Sequence, residues 1–293
     1  MSDGTNSAQG GGSGSGRNPA RGLGHVDAGL AYDDAGHGTG LVLLHGVGLD
    51  RRMWDRCRPA LAARHRTRAV DLRGHGGSSP APGGVTLTEL AHDVLGTLDG
   101  PDGLTEPAHL VGFSLGALVA ARAALLRPEA VASLTLVSSV ARRTEQESRE
   151  VQRRLETARR DFPASVHAAV ERWFTTPWKA AEPELAAAVQ ATLLAQDHSS
   201  YLACYEVFAR ADRELWPRLP EISVPTLAVT GEADPGSTPE MTRQLAGAIP
   251  GARDVVVPGA RHLLPLEAPG PLTTEIIRHT TEVDRDRTTA TAP

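Results

Sequence analysis

Cysteine is nearly absent: Cys57 and Cys204 are the two in 293 residues. Two thiols cannot build a disulfide framework, and their spacing suits no metal site. They read as reduced thiols, which makes the cytoplasm the expected compartment. Lysine is scarcer still, Lys179 standing alone against 29 arginines; beside so much alanine this reflects coding bias rather than chemistry. No excess of positive charge exists either, with 35 acidic against 30 basic residues and a net charge of -5, which excludes a phosphate-tracking nucleic-acid binder. No apolar run approaches the ~20 residues of a membrane-spanning helix, and the first residues lack the basic and apolar regions of a secretory signal. What remains is a chain that is 40% hydrophobic and 22% charged, composition enough for a sizeable core.

The length suits one large α/β domain or two small ones. Residues 1–16 hold six Gly and four Ser with nothing to anchor a core, so a disordered tail is expected over 1–24, and a frayed one over 284–293. Between them, apolar runs at 41–44, 68–70, 108–111, 134–137, 226–229 and 254–257 read as strands, separated by helical patterns such as 87–98 and 115–126. In the second of these, Leu115, Leu118, Val119, Arg122 and Leu126 have amphipathic spacing. Near-continuous apolar strands alternating with helices indicate a doubly wound, mostly parallel sheet covered on both faces. The alternation fails between 141 and 219, where only helical patterns occur (144–160, 164–173, 182–196 and 199–211), punctuated by Pro163, Pro177 and Pro183. The expected organisation is a core of 25–140 and 220–283 with 141–219 inserted as a helical lid.

Gly112-Phe113-Ser114-Leu115-Gly116 follows an apolar strand and opens a helix. A nucleophilic serine on such a turn has a strained backbone, so residues two positions either side must be small. A serine alkoxide needs a base and an orienting acid, expected later in the chain as acid and then histidine, each just past a strand. Asp234 and His262 meet that demand; Glu232 is the nearest rival acid. Of the other histidines, His45 at a strand end reads as a structural hydrogen-bonding group. An oxyanion requires two backbone N–H donors: Leu115, at a helix N-terminus, and Val47 in His45-Gly46-Val47-Gly48, with Gly48 second. The glycine-dense Asp71 to Ser78 lacks the ending of a P-loop and reads as a structural turn. Trp54 and Trp173 read as core or pocket walls. No cofactor or metal is called for.

These motifs, with Met53-Trp54-Asp55, Gly231 to Asp234 and Gly259 to His262, resemble the α/β-hydrolase superfamily over residues 25–280. Within it the chain is most similar to the 3-oxoadipate enol-lactonase branch, through Arg172-Trp173-Phe174-Thr175, Tyr201-Leu202-Ala203-Cys204, Ala211-Asp212, Ile249 to Ala252, and Leu266-Glu267-Ala268-Pro269. It departs from that branch at Gly46, often Ser, at Ala117, often Gly, and at Leu115, Met in many relatives. The resemblance implies an α/β-hydrolase fold and cofactor-free opening of a small ester or lactone. A carboxylate-bearing lactone would need a cation, for which Arg142, Arg143 and Arg172 are candidates. Gly48, Trp54, Arg142 and Trp173 are the expected substrate contacts. Related activities share the motifs: C–C bond hydrolysis, other esterases of natural-product pathways, and hydrolase-fold receptors with slow turnover.

Overall fold

The computed structural model describes residue 1 and residues 22–25, 29–99, 103–104 and 107–291. Among the described residues, eight strands form one sheet: β1 (Gly22–His25), β2 (Ala31–Ala35), β3 (Gly40–Leu44), β4 (Arg66–Val70), β5 (Ala108–Phe113), β6 (Val131–Val137), β7 (Thr226–Gly231) and β8 (Arg253–Val257). Their spatial order is β1-β2-β4-β3-β5-β6-β7-β8. β1–β2 and β2–β4 pair antiparallel and all other pairs are parallel. Every residue of β3, β5, β6 and β7 is buried, as a sheet covered on both faces requires.

The helices are α1 (Arg58–Ala62), α2 (Leu87–Gly96), α3 (Leu115–Leu126), α4 (Glu145–Arg160), α5 (Phe162–Trp173), α6 (Thr176–Ala181), α7 (Pro183–Leu194), α8 (His198–Leu215), α9 (Pro239–Ala248), α10 (Leu264–Glu267) and α11 (Pro269–Thr291). Helices α4 to α8 all lie between β6 and β7, where the strand pattern fails. Capping boxes begin α2 (Thr86/Glu89) and α4 (Thr144/Glu147), each satisfying two orphan backbone donors. On α4, Val151, Leu155 and Ala158 form one buried stripe, the i, i+4, i+7 pattern of a surface helix.

Several expectations are corrected. The tail expected over 1–24 lies outside the described residues from 2 to 21, and its last residues open β1. The C-terminal segment from Asp284 continues α11 to Thr291, and Asp284 accepts from His109 Nε2 at 3.1 Å. Helix α3 is not amphipathic: apart from Arg122, it is buried from Leu115 to Ala124, because it lies between the sheet, α2 and α8 and its alanines allow close approach. A short helix not expected from the sequence, α6, carries Pro177 in its first turn, as α5 carries Pro163 and α7 Pro183; proline costs nothing where the first N–H groups have no helical partner. Strand β2 has no apolar run to mark it, since Ala31-Tyr32-Asp33-Asp34-Ala35 is polar. Its charge is matched across the sheet, Asp34 accepting from Arg68 Nε and Nη2, both at 2.8 Å.

Among the described residues, one group of metal-ligating types, His65, His109 and Asp284, sits near the amino ends of β4 and β5. Hydrogen bonds engage it: His65 Nε2 with Thr280 Oγ1 at 2.9 Å, and His109 Nδ1 with Ser133 Oγ at 2.8 Å. No helix among the described residues is long and apolar enough to cross a membrane.

Candidate active site

Ser114 is the single residue between β5 and α3, with φ 52° and ψ −109°. Such a backbone costs a non-glycine residue ~1–3 kcal/mol; the Ser114 N–H donating to Val137 O at 2.9 Å helps hold it. A Cβ on Gly112 would lie 2.2 Å from the Gly116 oxygen, and one on Gly116 would lie 2.6 Å from the oxygens of Leu44 and His45. The glycine spacing is thus a steric requirement of the turn. The Ser114 side chain emerges at the carboxyl end of the sheet.

Two other carboxyl-end loops reach the same place. The loop after β7 carries Asp234, whose Oδ1 accepts from Gly236 N at 2.8 Å and Ser237 N at 3.0 Å. Its Oδ2 faces His262 Nδ1, on the loop after β8, at 2.7 Å. Glu232, the rival acid, is exposed and accepts from Gly259 N at 3.0 Å. Phe113 packs against the His262 ring, with centroids 4.9 Å apart.

The loop after β3 is braced by two buried histidines. His45 Nδ1 donates to Gly46 O at 2.7 Å and its Nε2 accepts from Leu72 N at 2.8 Å. His75 Nε2 accepts from Gly48 N at 2.9 Å, and its Nδ1 faces Arg73 O at 3.2 Å. Both rings are therefore neutral with the proton on Nδ1. The turn from Asp71 to Ser78 is structural: Asp71 Oδ1 accepts from Arg51 N at 2.7 Å and Oδ2 from Gly77 N at 2.8 Å.

Those histidines set a pH dependence. Burial pushes His45 down to about 4 and His75 to about 3, and His65 and His279 also to about 4, whereas in the unfolded chain each returns to ~6.5. Below pH ~6.5 the unfolded state binds the extra protons, so the stability these rings contribute is complete above that pH and lost as pH falls toward 4. The melting temperature should fall progressively from pH 7 to 5, and His75→Gln should flatten the slope; a melting temperature constant over that window would contradict the neutral assignment.

Ser114, Asp234 and His262 line one cavity of about 120 Å³, together with Val47, Trp173 and residues of the inserted helices. Trp173 stands over His262 with ring centroids 5.9 Å apart. Leu115 is fully buried at the start of α3. Three expected substrate contacts are corrected. Gly48 has its N–H committed to His75, and a Cβ there would meet Leu193 and Tyr201, so it braces the loop instead of lining the cavity. Trp54 is fully buried in the core. Arg142 is exposed and is not among the residues that line the cavity. Its neighbour Arg143 does line the cavity but donates to Asp212 Oδ1 at 2.6 Å, both side chains being 2% exposed. Arg172 lines the cavity, as does Arg154, which the sequence did not single out.

Further residues support the histidine from afar. Ser138, with φ 47°, donates its hydroxyl to His262 O at 2.8 Å. The His262 N–H donates to Trp173 O at 3.1 Å. Glu267 ties the same loop to the start of α6, accepting from Arg261 N at 2.7 Å on one oxygen and from Thr175 N and Oγ1 at 2.9 and 2.7 Å on the other. Trp173 and Glu267 left a trace in the sequence, the latter through its place in Leu266 to Pro269; the bond of Ser138 spans 124 positions and has no local signature.

A strand-elbow-helix serine, followed by an acid and a histidine on later loops of a mostly parallel sheet, narrows the family. Residues 41–274 match the Alpha/beta hydrolase family. The chain is an α/β hydrolase. Curated relatives of this hydrolase include (E)-2-((N-methylformamido)methylene)succinate hydrolase of Acinetobacter baylyi, 28% identical over 81% of this chain and 89% of that protein. Another is 3-oxoadipate enol-lactonase 1 of the same organism, 31% identical over 68% of this chain and 72% of that protein. Among solved structures, a thermophilic esterase from Thermogutta terrifontis, determined with malate bound, superposes with a TM-score of 0.80 at 30% identity, covering 90% of this chain and 99% of that one. The hydrolase thus has both esterases and lactonases as homologues.

Proposed function

We propose that this α/β hydrolase is a cofactor-free serine hydrolase that cleaves a compact carboxylic ester or lactone through an acyl-enzyme on Ser114. The observation that carries the reading is the 2.7 Å contact of His262 Nδ1 with the buried Asp234 carboxylate, at a cavity that the strained Ser114 also lines. With its Nδ1–H held by Asp234, the imidazole presents Nε2 as the free base. Ser114 Oγ attacks the acyl carbon and passes its proton to Nε2, while Asp234 stabilises the imidazolium. The N–H groups of Leu115 and Val47 receive the oxyanion, each donor worth ~3 kcal/mol in comparable sites. The C–O bond then breaks and the leaving oxygen takes the proton from Nε2. In a lactone that oxygen stays tethered, and an enol escapes re-closure by becoming a ketone. Water next gives a proton to Nε2 and attacks the acyl carbon; the bond to Ser114 Oγ breaks, that oxygen takes the proton back from Nε2, and the acid is released.

The size of the cavity, small against the ~300–1,000 Å³ of common ligand pockets, favours a compact substrate. Relatives named for an enol-lactone and for a methylene succinate agree with that class. The two cysteines, both free and buried, fit a reducing cytoplasm. A panel of enol-lactones, aryl esters and vinylogous 1,5-diketones tests the reading: turnover of the first two classes, with a transient acyl adduct on Ser114 by mass spectrometry, is expected. Turnover of the diketones alone would make it a C–C bond hydrolase, and no turnover of any would leave a receptor.

A further inference from the structure

The cavity carries more positive charge than its own carboxylates neutralise. Three guanidinium groups line it, from Arg143, Arg154 and Arg172, and one carboxylate, that of Asp234. Asp234 is engaged by His262 and two backbone N–H groups, and Arg143 is matched by Asp212. Arg154 and Arg172 have no carboxylate partner among the described residues. Arg172 donates to Ala168 O of its own helix at 3.3 Å, and Arg154 Nε is buried without a hydrogen-bond partner. The contrast along α4 is informative: Arg149, Arg153 and Arg159 each meet a glutamate, whereas Arg154, one residue on from Arg153, lines the cavity unpaired.

Buried charges are ordinarily paired, because an unmatched one forfeits its hydration. Here two half-buried cations of like sign share one wall, neither matched by a carboxylate. Burial, followed by the charge of Arg154, lowers the pKa of Arg172. A neutral ligand leaves that repulsion in place, and an anion relieves it. A guanidinium offers a planar fork of donors that matches a carboxylate in two-point geometry. Hydroxyl-bearing Tyr201 and Tyr205 line the same space.

We propose that Arg154 and Arg172 form an anion subsite in the roof of the cavity, so that the substrate is an ester or lactone bearing a free carboxylate. This rests on the serine-hydrolase reading for the reaction but not for the binding. Of the three cations expected from sequence it keeps Arg172, sets aside Arg142 and Arg143, and adds Arg154, 18 positions before Arg172 on the preceding helix.

The test has a binding arm and a kinetic arm. Ser114→Ala protein titrated with glutarate should bind it, and adding Arg154→Met or Arg172→Met should weaken binding at least tenfold. With catalytic protein, kcat/KM for the mono-p-nitrophenyl ester of glutarate should exceed that for p-nitrophenyl butyrate at least tenfold. Either Met variant should collapse that ratio, and Arg154→Lys, which keeps the charge, should recover part of it. Equal hydrolysis of both esters by the unaltered protein, or a ratio indifferent to the variants, overturns the subsite and leaves the reaction standing. Arginine-dependent glutarate binding with neither ester hydrolysed does the reverse. Melting curves of each variant identify any loss that comes from misfolding, in which case the unaltered protein's own ratio and the Lys variant decide.

Discussion

Ser114→Ala should reduce ester hydrolysis by ~10⁴-fold or more, down to what binding and the oxyanion donors alone supply. The melting temperature should stay within a few degrees. The elbow is held by backbone and glycine contacts, Ser114 N–H to Val137 O and the close approach of Gly112 to Gly116, none of which involves the hydroxyl. Alanine keeps the Cβ and only the attacking oxygen is lost. A fluorophosphonate probe should label the unaltered protein and fail on the variant. Equal labelling of both would move the nucleophile elsewhere.

Asp234→Asn should cost ~10⁴-fold in kcat, as loss of the orienting acid does in comparable triads, and Glu232→Gln no more than a few-fold. The carboxylate of Asp234 accepts from His262 Nδ1 on one oxygen and from Gly236 and Ser237 on the other. An amide can satisfy those two N–H groups through its oxygen, which turns its NH₂ toward Nδ1. That forces the imidazole proton onto Nε2, where it can no longer accept from Ser114. Glu232 meets only Gly259 N, at the exposed rim of its loop. Kinetics of the two variants on one aryl ester decide the matter, and the reverse ranking would hand the acid's role to Glu232.

What could be read directly from the residue order is what depends on neighbours in the chain. The strand-to-helix turn at Ser114 requires small residues two positions away on either side, a local steric rule, and the strands β3, β5, β6 and β7 announce themselves as short apolar runs because both of their faces are buried. The order of serine, acid and histidine follows from the same topology. What the residue order did not reveal depends on partners far away. Strand β2 looks polar until Arg68 crosses to meet Asp34. Trp54 could equally have been wall or core until the helices packed. Arg142 and Arg143 are adjacent and chemically identical, yet one faces water and the other Asp212. Successive side chains point in different directions, and only the packing of the chain decides which direction is inside. Arg154 joins Arg172 at the cavity for the same reason: a helix presents one residue in several to any neighbour, and the angle at which α4 meets α5 is a property of the assembled fold.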